Sequence, residues 1–289
     1  MYTIEKFDQQ GLHFFKLKDE TSYVDVCPER GGIVTSFHAD GEDILYLNEA
    51  TLFDTTKNVR GGIPVLFPIA GQLTDKSYVW NGTVYEMANH GLARTRPWAV
   101  VHQASDESHT ELTLSFQSSA ETLESYPFQF EVLLTYSLAD GKLSIRQKIT
   151  NLSAEPMPAY PGYHPYFNIS DKQVDLKSRA TKYLDYNDNQ IKPFTGSIDL
   201  DGLKESVVLL PDQADTRLEA SFSAEKKLII EQDDTYRYDV LWVEGDAPFV
   251  CIEPWTAKTN SLNDTKESLL MVAPERPLEL NVSFHLADR

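Results

Sequence analysis

Two side chains suited to moving protons stand in segments whose composition a plain β-sheet does not need. One is His164, in Tyr160-Pro161-Gly162-Tyr163-His164-Pro165-Tyr166-Phe167-Asn168. Prolines on both sides and the neighbouring rings of Tyr163, Tyr166 and Phe167 imply a rigid, aromatic-lined loop. The other is Glu253, which closes the apolar run Phe249-Val250-Cys251-Ile252 immediately before Pro254. Proline has no N–H to continue a ladder, so the spacing predicts Glu253 at the end of a central strand. Each residue has a structural alternative: a paired acid at a strand end, a satisfied core histidine. Together they supply an acid and a base whose ordinary pKa values differ, about 6.5 and about 4.3, which is what general acid–base catalysis asks for. Trp255, two residues beyond Glu253, is either a core filler or an aromatic face of the kind on which sugar rings stack.

Two arginines belong to a second pair of unusual segments. Arg60 lies in Asn58-Val59-Arg60-Gly61-Gly62-Ile63-Pro64, where the glycines allow backbone to approach a ligand closely. Arg94 closes Asn89-His90-Gly91-Leu92-Ala93-Arg94 and could grip an oxyanion through both arms of its guanidinium. The alternative for each is a pairing with one of the 44 Asp and Glu residues.

The elements that must position these groups read as antiparallel strands. Asp40-Gly41, Asn81-Gly82 and Asp140-Gly141 separate Ile33–Phe37 from Ile44–Leu47, Tyr78–Trp80 from Thr83–Met87, and Glu131–Leu138 from Lys142–Asn151. Such pairs tolerate the positive φ of two-residue hairpin turns. Further strands are predicted at Glu111–Phe116, Ser206–Leu210, Lys227–Glu231, Val240–Val243, Phe249–Glu253, Leu269–Val272 and Leu278–Leu286. Helix is confined to Ala120–Ser125 and a start over Asn260–Ser268. Strands at this spacing predict an all-β sandwich or barrel, and no repeat or linker divides residues 1–289, so one domain is expected.

Composition narrows the function. The 26 Lys and Arg against 44 Asp and Glu leave a net charge of −18, which argues against nucleic acid and anionic membrane as partners. The first residues lack the pattern of a signal peptide and no apolar run is long enough to span a bilayer, so a cytoplasmic protein is expected. Cys27 and Cys251 read as buried free thiols, and no zinc-type spacing occurs.

Taken in order, the His164 and Glu253 segments resemble the acid and base motifs of the aldose 1-epimerases, the galactose mutarotase-like family. The Arg60 and His90–Arg94 segments look like its hexose-6-phosphate mutarotase branch. The resemblance implies a large antiparallel β-sandwich (the supersandwich of that family), with a metal-free site that needs no cofactor. It implies interconversion of the α and β anomers of a hexose or hexose-6-phosphate, with a small sugar or sugar phosphate as the partner. By position, His164 takes the general acid role and Glu253 the general base, ionised while His164 is protonated near neutral pH. Arg60, His90 and Arg94 fall where the family binds substrate. Leu92 stands where the family more often has Phe, and no motif selects a hydroxyl-binding acid among Asp185, Asp188, Asp201, Asp212, Asp215 and Asp239. A non-catalytic sugar-binding protein using the same cleft is the alternative, and a glycoside hydrolase, which usually needs two flanking carboxylates, a more distant one.

Overall fold

The hairpin Phe130–Ala139 with Lys142–Asn151 shows how the chain builds its sheets. Asp140 and Gly141 take φ of 49° and 69°, the left-handed pair that a two-residue turn requires. Phe130 then pairs with Asn151, and Ala139 with Lys142, without a slip. On the return strand Leu143, Ile145, Gln147 and Ile149 are buried while the intervening residues are not, as strand alternation demands.

The computed structural model describes residues 1–264 and 269–289. This hairpin lies within a nine-stranded antiparallel sheet running from Ser197–Asp199 at one edge to Ala99–Ser105 at the other, with Leu278–Asp288 between Lys226–Gln232 and Lys142–Asn151. An eight-stranded sheet has the order Gln190–Pro193, Lys182–Asp185, Val207–Leu209, Tyr238–Trp242, Val250–Trp255, Gly162–Tyr163, Val65–Leu66, and the short strand Tyr166–Phe167 also pairs with Val250–Trp255. The inner faces of the two sheets share one apolar core. Phe167 of one meets Phe284 of the other at 5.8 Å between ring centroids, and each such side chain contributes about 1.5–3 kcal/mol by leaving water. The fold is the all-β antiparallel sandwich expected.

A five-stranded sheet precedes both, from Thr3–Gln9 to Glu42–Asp43. Its role for the site is to carry the Arg60 segment: isolated bridges join Val34 to Ile63 and Leu47 to Gly61. The return strand expected over Ile44–Leu47 shortens to Glu42–Asp43, because Leu45 and Leu47 bridge to Phe167 and Gly61 instead of to the hairpin partner. The helix over Ala120–Ser125 is present, capped by Ser119 and Thr122 bonding each other's backbone N–H groups. Asn260–Asp264 forms turns, and residues 265–268 of the second helical expectation lie outside the described residues. Among the described residues no helix is long and apolar enough to cross a membrane.

Pro254 does not end its strand. The ladder continues through Asp239 paired with Pro254 to Tyr238 paired with Trp255. The one donor that proline lacks is lost on the side of Gly162–Tyr163, where the ladder holds only the pair Gly162 with Trp255, so little is forfeited.

Candidate active site

Strand register brings the histidine to the glutamate. Gly162 pairs with Trp255 and Tyr166 with Cys251. In an antiparallel ladder the partner falls by one for each step forward, so His164, halfway between those pairs, faces Glu253. Its Nε2 lies 3.5 Å from Glu253 Oε1. On the other flank of Glu253 stands Val240. Alternation then puts Cys251, Glu253 and Trp255 on one face of their strand, outward from the core, where a cleft of about 600 Å³ opens. That volume is in the range of small-molecule sites, about 300–1,000 Å³. Arg60, His90, His164, Trp242, Glu253 and Trp255 line it, and Tyr186, Asn189, Lys204 and Glu205 stand along the same wall.

His164 is held on every side. Its backbone N–H donates to the Pro64 carbonyl at 3.1 Å, and its ring stacks on Tyr166 at 4.7 Å and meets Trp242 edge-on at 5.7 Å. Nδ1 is buried without a hydrogen-bond partner. Glu253 is 2% exposed; its Oε2 accepts the Trp255 indole N–H at 3.0 Å. Trp255 thus lines the cleft as expected, but it is buried and its polar edge holds the carboxylate, so it offers little open face.

His90 has φ of 63° and is locked to Gly71: its N–H donates to the Gly71 carbonyl at 2.7 Å, and Nδ1 accepts the Gly71 N–H at 3.0 Å. An accepting Nδ1 requires the proton on Nε2 in the neutral ring, so His90 can present a donor to the cleft. Gly91 must be glycine, since a Cβ there would fall 2.4 Å from the Phe67 carbonyl oxygen. The two arginines differ. Arg60 reaches the cleft, 5.4 Å over the Trp242 ring, and is paired at 3.3 Å with the half-exposed Glu244. Arg94 is not among the lining residues; its Nη2 donates to the Asn89 carbonyl at 3.1 Å and its Nε is buried without a partner.

Burial sets the charge state of the central pair. It pushes His164 down to about 3, helped by the positive charges of Arg94 and Arg60, and it pushes Glu253 well above the usual carboxylate range against the pull of the Trp255 indole and Arg94. A dry site disfavours both charged forms. Burial therefore works against the carboxylate of Glu253 and against the imidazolium of His164 alike. The expectation of an ionised glutamate beside a protonated histidine used solvent-exposed reference values, and burial opposes both of those forms.

None of the six aspartates left open by the motifs lines the cleft. Asp185 is tied to Lys192 at 2.6 Å, and Asp239 faces Gln232 at 3.1 Å. Trp242, Asn189, Lys204 and the Arg60 partner Glu244 were not singled out from sequence. The Val240–Val243 strand reading contained the one available signal, since Trp242 alternates with the buried Leu241.

A family model described as aldose 1-epimerase matches residues 13–276. A protein of Cenchrus ciliaris named "Putative glucose-6-phosphate 1-epimerase" is 27% identical over 268 residues, covering 86% of this chain and 75% of that one. The Slr1438 protein of Synechocystis sp. PCC 6803 has a similar structure, with a TM-score of 0.91, 31% identity and 100% of both chains covered. The galactose 1-epimerase of Lactobacillus acidophilus NCFM shares the fold at a TM-score of 0.78 and 16% identity, over 100% of this chain and 99% of that one.

Proposed function

The chain belongs to the aldose 1-epimerase family, and from that premise we propose that it interconverts the α and β anomers of a hexose or hexose-6-phosphate, with His164 and Glu253 as the proton-transfer pair. The carrying observation is the opposition of these two side chains at 3.5 Å on the wall of the one cleft they both line.

Ring opening requires the C1 hydroxyl to lose a proton while the ring oxygen gains one. Glu253 as carboxylate takes the first, and His164 as imidazolium delivers the second. The products on the protein are a neutral carboxyl and a neutral imidazole, the pair of forms that burial favours. The dry cleft thus stabilises the protein state that accompanies the open-chain aldehyde. Rotation about C1–C2 and reversal of both transfers close the ring on the other face and restore the ion pair. No group leaves and no electrons move. His90, with its proton on Nε2, is a donor for a sugar oxygen, and Trp242 is the more open aromatic wall.

Arg60 supports a phosphorylated substrate, since it is the guanidinium that reaches the cleft, and the name of the Cenchrus ciliaris relative contains glucose 6-phosphate. Charge-assisted hydrogen bonds would hold the phosphate. Arg94 would act from behind, through its charge. The proposal includes action as one domain over residues 1–289 and in the cytoplasm, supported by the two buried free thiols.

The test is polarimetric or NMR measurement of anomer exchange for glucose, galactose and their 6-phosphates. Arg60→Ala is expected to erase any preference for the phosphate while sparing the free sugar, and Arg94→Ala to affect both alike. Equal losses on both substrates for Arg60→Ala would remove the phosphate reading. A wild-type protein that leaves exchange at the buffer rate would remove the mutarotase itself.

A further inference from the structure

Cys251 has no part in the proton transfers, yet its thiol lies beside them. Cys251 and Glu253 are two residues apart on the same face of Val250–Trp255, and the register sets His164 opposite. One imidazole nitrogen, the Cys251 sulfur and one carboxylate oxygen all lie within 4.8 Å of one another. All three residues are buried, and His164 Nδ1 has no hydrogen-bond partner.

We propose that His164, Cys251 and Glu253 form a binding site for a borderline-soft divalent cation, with Zn²⁺ as its representative, and that an ion held there silences the proton-transfer pair. The donor set is nitrogen, sulfur and oxygen, the three kinds that Zn²⁺ takes in proteins. Bond lengths of about 2.0–2.3 Å in a tetrahedron place donor atoms about 3.3–3.6 Å apart, so the groups need to close by roughly 1 Å. Three protein donors leave the fourth position of a tetrahedral ion for water or a sugar oxygen. A thiolate ligand selects against Mg²⁺ and Ca²⁺, which take oxygen.

Charge balances within the site. Binding converts a thiol and a carboxyl to thiolate and carboxylate and releases two protons to solvent, so the ion and its two anionic ligands sum to zero. Arg60 and Arg94 oppose the approach of a cation but stabilise both anions once formed. The other charged or titratable groups felt at this point are His90, Tyr166, Lys172 and Glu244. Inhibition follows directly, because a ligated histidine nitrogen and carboxylate no longer exchange protons with a sugar.

Cobalt(II) is the probe, because it reports thiolate ligation and coordination number without turnover. Wild-type protein titrated with Co²⁺ is expected to develop a near-ultraviolet sulfur-to-cobalt charge-transfer band and strong visible bands of four-coordinate metal. Cys251→Ala is expected to lose the charge-transfer band and to bind Zn²⁺ at least about tenfold more weakly by calorimetry, since even outer-shell changes cost that much. Cys251→Ser is the second variant should alanine fail to fold. In the exchange assay Zn²⁺ should inhibit wild type reversibly on chelation, and Cys251→Ala only at correspondingly higher concentration. Absence of the charge-transfer band, or equal Zn²⁺ affinity in wild type and both variants, overturns the proposal. The cobalt spectrum stands whether or not the protein turns over a sugar, so failure of the mutarotase reading is told apart from failure of the metal site.

Discussion

Two grooves of similar size lie on this molecule, and their glutamates behave oppositely. The first, of about 600 Å³, is the cleft around Glu253 on the eight-stranded sheet. The second, of about 550 Å³, lies on the nine-stranded sheet and contains Glu231 among serines, threonines and arginines. Glu231 accepts from Lys142 at 2.6 Å and from Arg217 at 2.8 Å, and the bond from Lys142 above all holds its carboxyl below the usual range. Glu253 meets an indole N–H and the His164 imidazole, and burial raises it. A carboxylate given cations in partial solvent stays ionised and idle. One with no cation in hydrogen-bonding contact, in a dry cleft, is pushed toward its neutral form instead. Shape alone does not separate these grooves; the supply of countercharge does.

The widest gap between the regions should appear on removing each acid. Glu253→Gln and His164→Asn are expected to lower anomer exchange by about 10²–10⁴-fold with the fold retained, whereas Glu231→Gln should change it by no more than about twofold. Near wild-type exchange in both cleft variants would refute the roles given to the pair.

The pH profile sharpens the same contrast. His164 is depressed to about 3, so it takes up a second proton only as pH falls through that value. Glu253 is raised, so the pair loses its one proton only as pH rises through that higher value. Between them kcat/KM should be flat, with no limb at the ordinary glutamate value and the alkaline limb belonging to the pair as a unit. An acid limb near the ordinary glutamate value would show that Glu253 is ionised and the contrast with Glu231 false.

Trp255→Phe should fall next in size. It keeps the ring but removes the N–H that Glu253 Oε2 accepts. A hydrogen bond to a charged group contributes about 1.5–3 kcal/mol, so kcat should drop about tenfold or more while KM moves little. A change confined to KM would make Trp255 a sugar platform after all.

The smallest effect concerns the rim. Glu244→Gln releases Arg60 from an exposed pair worth about 0–1 kcal/mol, so kcat/KM for hexose 6-phosphates should rise by up to about fivefold, with free hexoses unchanged. An equal rise for both substrates would detach Arg60 from phosphate binding.

What was legible in the sequence follows from how local each signal is. The hairpins at Asp40, Asn81 and Asp140 announced themselves through turn residues, and the observed positive φ values at these positions agree. The first hairpin, Thr3–Gln9 with Leu12–Lys18, turns at Gln10-Gly11, and glutamine is no such signal. His164 and Glu253 could be picked out because proline and aromatic residues crowd them, but their opposition depends on register across some 90 residues of chain. The pairing of Arg60 with Glu244 and the withdrawal of Arg94 to Asn89 are equally non-local, and short motifs carry no trace of them. The burial that opposes both charges of the pair was illegible for a different reason: residue type supplies a reference pKa, and only the fold supplies the shift.

The ladder that sets Gly162 against Trp255 and Tyr166 against Cys251 has a consequence for engineering. Glu253 lies within a paired strand and His164 between two short strands that pair with it, while Asn189, Lys204, Glu205 and Glu244 lie outside the strands. On the proposed function, exchanging loops 186–189, 202–206 and 243–248 should alter sugar preference while leaving the proposed proton-transfer pair in place. Inserting a single residue into Val250–Trp255 would instead turn Glu253 toward the core and end activity in one step.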